Sequence, residues 1–252
     1  MMSSGVIDSE PSRYFLSVVI PAYDEEMRLR TSLPVLRDYL RNQDYLWEVI
    51  VVDDGSSDRT SKIPMEIFSE SETVRVLENP GNRGKGYSVK QGLLAANGEL
   101  ILVTDADFST PIEEFEKLRA CLKEGWDVAI GSRSLKDSDV QISQPWYREG
   151  MGRIFNVFVQ MMVLRGFIDT QCGFKCFNRD KAVPVFSKMS LDGFCFDVEL
   201  LFIAKKFGLK IKEVPVLWKD VAQSRVNILS EPVRMFLDLL RIRRNNENGF
   251  YD

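Results

Sequence analysis

Short apolar runs alternate with amphipathic stretches through the first half of the chain. Leu16-Ser17-Val18-Val19-Ile20 is rich in β-branched residues and stops at Pro21, which predicts a strand. Leu29, Leu33, Leu36 and Leu40 follow at helical spacing within Glu25–Leu40. The same reading predicts strands over Glu48–Val52, Val74–Leu77, Leu100–Thr104 and Val128–Gly131. Helices are predicted over Ser57–Ser69, Lys85–Ala96 and Pro111–Lys123. Regular alternation of strand and helix is the pattern of an α/β chain with a doubly wound, mostly parallel sheet. The second half is less regular. Gln144–Gly166 reads as helix, Asp169–Phe177 as an extended or loop segment, Asp197–Phe207 as helix and Lys212–Trp218 as strand. A closing helix spans Glu231–Arg244, with Met235, Leu239 and Leu240 on its apolar face. No linker separates the halves, so the pattern predicts one domain over 14–244, with halves 14–135 and 136–244, after a polar tail, 1–13.

In doubly wound sheets ligands bind beyond the carboxyl ends of the strands, and the polar clusters of this chain fall there. The first strand runs into Pro21-Ala22-Tyr23-Asp24-Glu25-Glu26, the second into Asp53-Asp54-Gly55-Ser56-Ser57-Asp58, the fourth into Asp105-Ala106-Asp107. Two carboxylates flanking one small residue suit a hard divalent cation whose shell is completed by diphosphate oxygens. Of Asp53 and Asp54, one carboxylate can accept hydrogen bonds from a ribose or base and another can cap the next helix. Asn82-Arg83-Gly84-Lys85-Gly86 opens a helix. Its glycines allow close approach of backbone to a ligand, and Lys85 offers a point charge to phosphate, without the spacing of a Walker loop.

The absence of histidine narrows the chemistry. With none in 252 residues, imidazole bases, Ser-His-Asp and Cys-His catalysis and histidine metal sites are excluded. A net charge of −4 argues against a nucleic-acid partner. Ten basic and four acidic residues nevertheless fall between Lys205 and Arg244, a local excess that either is simply solvated or faces anionic lipid or phosphate. Four cysteines without framework spacing predict reduced thiols.

Taken together, Pro21 to Glu26, Val51-Val52-Asp53-Asp54-Gly55-Ser56-Ser57-Asp58, Asn82 to Gly86 and Asp105-Ala106-Asp107 resemble the family 2 glycosyltransferases of GT-A fold, whose nucleotide-binding half is Rossmann-like. Asp169-Thr170-Gln171-Cys172-Gly173-Phe174-Lys175, Phe196-Asp197-Val198-Glu199-Leu200-Leu201 and Glu213-Val214-Pro215-Val216 with Trp218 are similar to the dolichyl-phosphate β-glucosyltransferase branch, related to the dolichyl-phosphate mannose synthases. The resemblance implies inverting transfer of a sugar, glucose favoured, from a nucleotide-diphosphate sugar, UDP-glucose favoured, to dolichyl or another polyprenyl phosphate. It places Pro21, Ala22, Tyr23, Glu25, Val52, Asp53, Asp54, Lys85, Ala106 and Arg133 on the nucleotide sugar. Asp105 and Asp107 would hold Mg²⁺ or Mn²⁺. Asp169 falls where inverting relatives carry the catalytic carboxylate and would orient or deprotonate the acceptor. Arg148 and Arg153 match two arginines of the mannose synthases and, with Arg133, suit the acceptor phosphate. Ser224 and Arg225 match a Gly-Ser-Lys pattern in which Gln223 replaces the glycine. Ser109 stands where the mannose synthases have a metal-binding Gln.

No run is long enough to span a bilayer and the polar start is unlike a signal peptide. The expectation is a protein peripheral on the cytoplasmic face of a membrane, docked through Ile154–Ile168 and the basic helix. Three alternatives stay open: a soluble family 2 enzyme with a hydroxyl acceptor, a mannose synthase using GDP-mannose, and a silent nucleotide-sugar binding module. Among the aromatics Phe174, Phe177, Phe194, Phe196 and Trp218, core packing is favoured over sugar stacking.

Overall fold

The structure, a computed structural model, describes residues 14–142, 146–219 and 231–252. The continuous apolar runs become strands buried on both faces, as in parallel sheets covered by helices. In β1 (Tyr14–Ala22), Val19 faces one core while Leu16, Val18 and Ile20 face the other. The same alternation runs through β2 (Trp47–Asp53) and β4 (Gly98–Val103), where Ile50, Val52, Ile101 and Val103 oppose Val49, Val51, Leu100 and Leu102.

Helices cover both faces. On one lie α1 (Glu26–Arg41), which buries the predicted Leu29, Leu33, Leu36 and Leu40, α2 (Ile63–Ile67) and α4 (Phe115–Lys123). On the other lie α3 (Lys85–Ala95), α5 (Trp146–Met162), α6 (Arg179–Lys188), α7 (Phe196–Lys206) and α8 (Glu231–Glu247). With β3 (Val74–Glu78), β5 (Val128–Ser132), β7 (Lys175–Asn178) and β8 (Ile211–Pro215), the seven-stranded order is β3-β2-β1-β4-β7-β5-β8. Only β7 runs antiparallel, to both β4 and β5.

Several elements differ from the sequence reading. Ser57–Ser69 holds only a 3-10 turn, Thr60–Lys62, and the five-residue α2. The backbone before it is drawn to the β1–α1 loop instead. Asp24 N donates to Ser56 Oγ (2.8 Å), Ser57 N to Asp24 Oδ1 (2.7 Å) and Glu26 N to Asp58 Oδ2 (3.2 Å). Short polar side chains bonding local backbone compete with helix in this way. The predicted strand Lys212–Trp218 is two strands. It breaks at Pro215, and β9 (Leu217–Lys219) leaves the main sheet to pair in parallel with β6 (Asp139–Ile142). Asp169–Phe177 contains β7, whose four residues carry too little pattern to reveal a strand. Beyond Arg244, α8 continues to Glu247 and Tyr251 is a fully buried core residue.

Candidate active site

The carboxyl ends of β1, β2 and β4 lie side by side. Ala22 is in register with Asp53, and Asp54 N donates to Ala22 O (2.8 Å). The segments that follow these strands meet in a cleft of about 450 Å³. Ten of the residues singled out in the sequence line it: Pro21, Ala22, Tyr23, Glu25, Asp54, Lys85, Asp105, Ala106, Asp107 and Arg133. Val52, Asp53 and Asp169 do not. The side chains of Arg148 and Arg153 lie outside the described residues, as do Ser224 and Arg225.

The two aspartates after β2 divide their work. Asp53 accepts from Ser56 N (3.1 Å) and from the Ser56 hydroxyl, closing its own turn. Burial raises its pKa, against the pull of Ser56. Asp54 accepts from Asn79 Nδ2 (2.7 Å), Arg83 N (3.0 Å) and Gly84 N (2.7 Å). It thereby fixes the loop that delivers Lys85, while keeping an edge on the cleft.

Lys85 forms an ion pair with Asp105 (2.6 Å), whose side chain is 36% exposed. Burial would raise the Asp105 pKa, but Lys85, Lys175 and Arg133 outweigh it and hold the carboxyl below its ordinary value. Asp107 accepts from Ser109 N (2.9 Å) and Ser109 Oγ (2.8 Å), so Ser109 orients the second carboxylate. Behind Asp105 sits Gly173, where a Cβ would lie 2.1 Å from Asp105 Oδ2. A side chain there would push the carboxylate aside. Among the described residues no group of three or more metal-binding side chains is gathered. Two oriented carboxylates on an open cleft fit a hard cation whose other ligands come from a bound diphosphate.

Arg133, which lines the cleft, forms a closed pair with Asp169 behind it. Asp169 accepts from Arg133 N (3.0 Å), Nε (2.7 Å) and Nη2 (2.9 Å), and from Gln171 N (3.1 Å). Burial opposes ionisation of Asp169, yet Arg133 prevails and keeps its pKa lowered. The Arg133 guanidinium also lies over the Trp218 ring, 5.5 Å from its centre. Glu213 carries this loop, accepting from Ile168 N (2.9 Å) and Asp169 N (2.9 Å). Beneath, the buried Lys175 binds Asp197 (2.5 Å) and the Cys172 carbonyl, joining the 169–174 loop to the start of α7. Burial raises the Asp197 pKa, against the pull of Lys175 and Lys85.

The glycines around Lys85 do something other than expected. Gly86 N (2.7 Å) and Tyr87 N (3.3 Å) donate to Asp192 O. A Cβ on Gly84 would lie 2.4 Å from Asp192 O, and one on Gly86 would lie 2.3 Å from Leu191 O. The small residues admit protein backbone to the helix start, while Gly84 also lines the cleft. Sequence reasoning missed Arg28 and Ser88 on the cleft wall, and named Asn82 and Gln171 only as members of their motifs. Arg28, held by Glu25 (2.8 Å), lies one turn into α1, and a second basic residue on a solvated helix carries no signal by itself. Of the five aromatics, Phe174, Phe177 and Phe196 are core, whereas Phe194 and Trp218 line the cleft.

The model of the family described as "Glycosyl transferase family 2" matches residues 17–183. The chain belongs to glycosyl transferase family 2. The dolichyl-phosphate beta-glucosyltransferase of Dictyostelium discoideum is 35% identical over 241 residues, covering 91% of this chain and 74% of the relative. The Homo sapiens protein of that name is 37% identical over 241 residues, with 90% and 74% covered. Among solved structures, mannosyl-3-phosphoglycerate synthase from Rubrobacter xylanophilus superposes with a TM-score of 0.67 at 20% identity, over 94% of this chain and 75% of that one. Glucosyl-3-phosphoglycerate synthase from Mycobacterium tuberculosis, in complex with Mn²⁺, UDP-glucose and phosphoglyceric acid, gives 0.63 at 20% identity, over 91% and 78%. The fold of this family 2 enzyme is GT-A, a mostly parallel sheet with the acidic clusters at its carboxyl edge.

Proposed function

We propose that this glycosyltransferase moves glucose from UDP-glucose to the phosphate of dolichyl or a similar polyprenyl phosphate, with inversion. One observation carries the reading: one histidine-free cleft gathers the carboxylates Asp54, Asp105 and Asp107 with two cations, Lys85 and Arg133. The relatives named above as dolichyl-phosphate beta-glucosyltransferases support it.

In this reading Tyr23, Pro21, Ala22, Glu25 and Asp54 seat the nucleoside, with Val52 and Asp53 shaping the turn behind it. Asp105 and Asp107 would hold Mg²⁺ or Mn²⁺, which neutralises charge on the leaving diphosphate, and Lys85 adds a second positive charge there. Arg133, with Arg148, Arg153, Ser224 and Arg225, receives the acceptor phosphate. That phosphate is already ionised near neutrality, its second pKa being about 6. Aiming it at the anomeric carbon and screening two sets of phosphates therefore matter more than proton removal. Asp169, with four hydrogen bonds already made, acts by aiming Arg133 and not as a base.

The enzyme meets its lipid at a membrane surface. Among the described residues no helix is long and apolar enough to cross one. α5 and α8 instead pack together, Phe158 edge-on to Phe236 at 5.3 Å. They leave Ile154, Val157, Met161, Val233, Leu237 and Leu240 exposed. Leu239 and Ile242 of α8 turn inward, so this helix has two apolar faces where the sequence suggested one. An exposed apolar face flanked by Arg234, Arg241, Arg243 and Arg244 suits an anionic interface; the cytoplasmic face fits four unpaired cysteines.

A donor-by-acceptor screen tests the assignment. UDP-glucose with a polyprenyl phosphate should turn over and stop on addition of EDTA. Turnover only with GDP-mannose, or only with hydroxyl acceptors, refutes it.

A further inference from the structure

The loop 189–193 lies between the donor wall and the C-terminal helix. Lys90 Nζ donates to Met189 O (2.7 Å), and Gly86 N and Tyr87 N donate to Asp192 O. The first turn of α3, which carries Lys85, is thus seated on this backbone. The loop is held in turn by Glu199, a fully buried carboxylate. Its Oε2 accepts from Ser190 N (2.9 Å) and Leu191 N (2.9 Å). Its Oε1 accepts from Ser190 Oγ (2.6 Å) and Tyr251 Oη (2.7 Å). Asn245 of α8 donates to Ser190 Oγ (3.2 Å) and Tyr251 Oη (3.3 Å). A buried carboxylate persists only when its oxygens are satisfied, and here all four partners serve one loop and the C-terminal tail. None of Glu199, Ser190, Asn245 and Tyr251 lines the cleft.

We propose that Glu199 and Tyr251 are positioning residues for the donor half of the reaction. They hold the 190–192 backbone from which Lys85 is aimed at the diphosphate, and through Asn245 they tie that wall to α8. The acceptor wall rests on other supports, Asp169 and Glu213, so the two substrates should respond differently. This inference rests on the glucosyl-transfer reading.

Tyr251→Phe removes one hydroxyl and keeps the ring against Phe202 and Phe250. It should raise the KM for UDP-glucose and the calorimetric Kd for UDP by about 3- to 10-fold, with the KM for a polyprenyl phosphate unchanged within about twofold. Glu199→Gln keeps a carbonyl for the two backbone N–H groups, but its amide cannot accept from the Ser190 and Tyr251 hydroxyls. It should raise the donor KM about as Tyr251→Phe does, and Glu199→Ala, which also releases the backbone of Ser190 and Leu191, should raise it further. Leu118→Ala, which trims packing in the core layer on the other side of the sheet, should lower Tm with both KM values kept. A Tyr251→Phe protein with lower Tm and unchanged donor KM, or with both KM values shifted equally, overturns the positioning role. Absence of turnover in the unsubstituted protein would instead overturn the functional reading and leave UDP binding to decide this one.

Discussion

A carboxylate that already accepts four hydrogen bonds has little left to offer a substrate, and this is the ground for proposing that Asp169 aims Arg133. Its fork with Arg133 is charge-assisted and bidentate, the geometry that fixes a guanidinium best. Arg133 keeps its free edge on the cleft and its face on Trp218. Asp169→Asn should lower kcat/KM for the acceptor by about 10- to 100-fold by loosening Arg133. The pH dependence separates aiming from base catalysis. Because the folded pKa of Asp169 is lowered, it is ionised throughout the neutral range and contributes no limb there. The fall in rate on acidification should follow the acceptor phosphate near pH 6, with the same midpoint in parent and Asp169→Asn. An acid limb present in the parent and missing in the variant would show that Asp169 is a base. The dyad after β4 was legible because Asp-x-Asp has a meaning in any strand-end context. Arg28 and Ser88 were not, since an isolated polar residue becomes a cleft residue only when remote segments surround it.

At the scale of elements, the parallel strands were read closely because their residues are buried on both faces, which writes a continuous apolar run into the chain. β7 escaped because four residues inserted against the grain of the sheet carry no periodicity. Its consequences are large. The strand brings Lys175 beside the end of β4 in register with Val103, and the loop before it sets Gly173 against Asp105. Gly173→Ala should leave the fold intact, as measured by Tm within a few degrees, because the atoms it would meet belong to the partly exposed Asp105 side chain, which can turn aside. It should displace the Asp105 carboxylate and raise the Mn²⁺ concentration for half-maximal activity at least about tenfold. An unchanged metal requirement would remove Asp105 from the proposed cation site. The glycines at 84 and 86 carry another lesson: their spacing invited a ligand reading, and Gly84 does line the cleft, yet both also make room for the carbonyls of another loop, which no local pattern shows.

The whole molecule sets two faces at work together, a cleft at the carboxyl edge of the sheet and an apolar surface on α5 and α8. The amphipathic pattern of α8 pointed to one apolar face, but only packing shows which residues turn inward. Binding to vesicles of mixed neutral and anionic lipid should survive in the parent at low salt and weaken as salt is raised, since the basic flank is screened. Leu237→Ser with Met161→Ser should abolish it at any salt while leaving UDP binding intact. Vesicle binding unaffected by the pair would place the docking surface elsewhere.

Local pattern alone determined the class of fold, the strand ends, the acidic clusters and the exclusion of imidazole chemistry, because hydrophobic periodicity and residue type are properties of neighbours along the chain. Tertiary structure decided the antiparallel insertion, the pairing of Asp169 with Arg133, the seat of α3 on a distant loop and the burial of Tyr251. Each of these joins groups from 36 to more than 100 residues apart, and their contacts exist only once the sheet has brought its edges together.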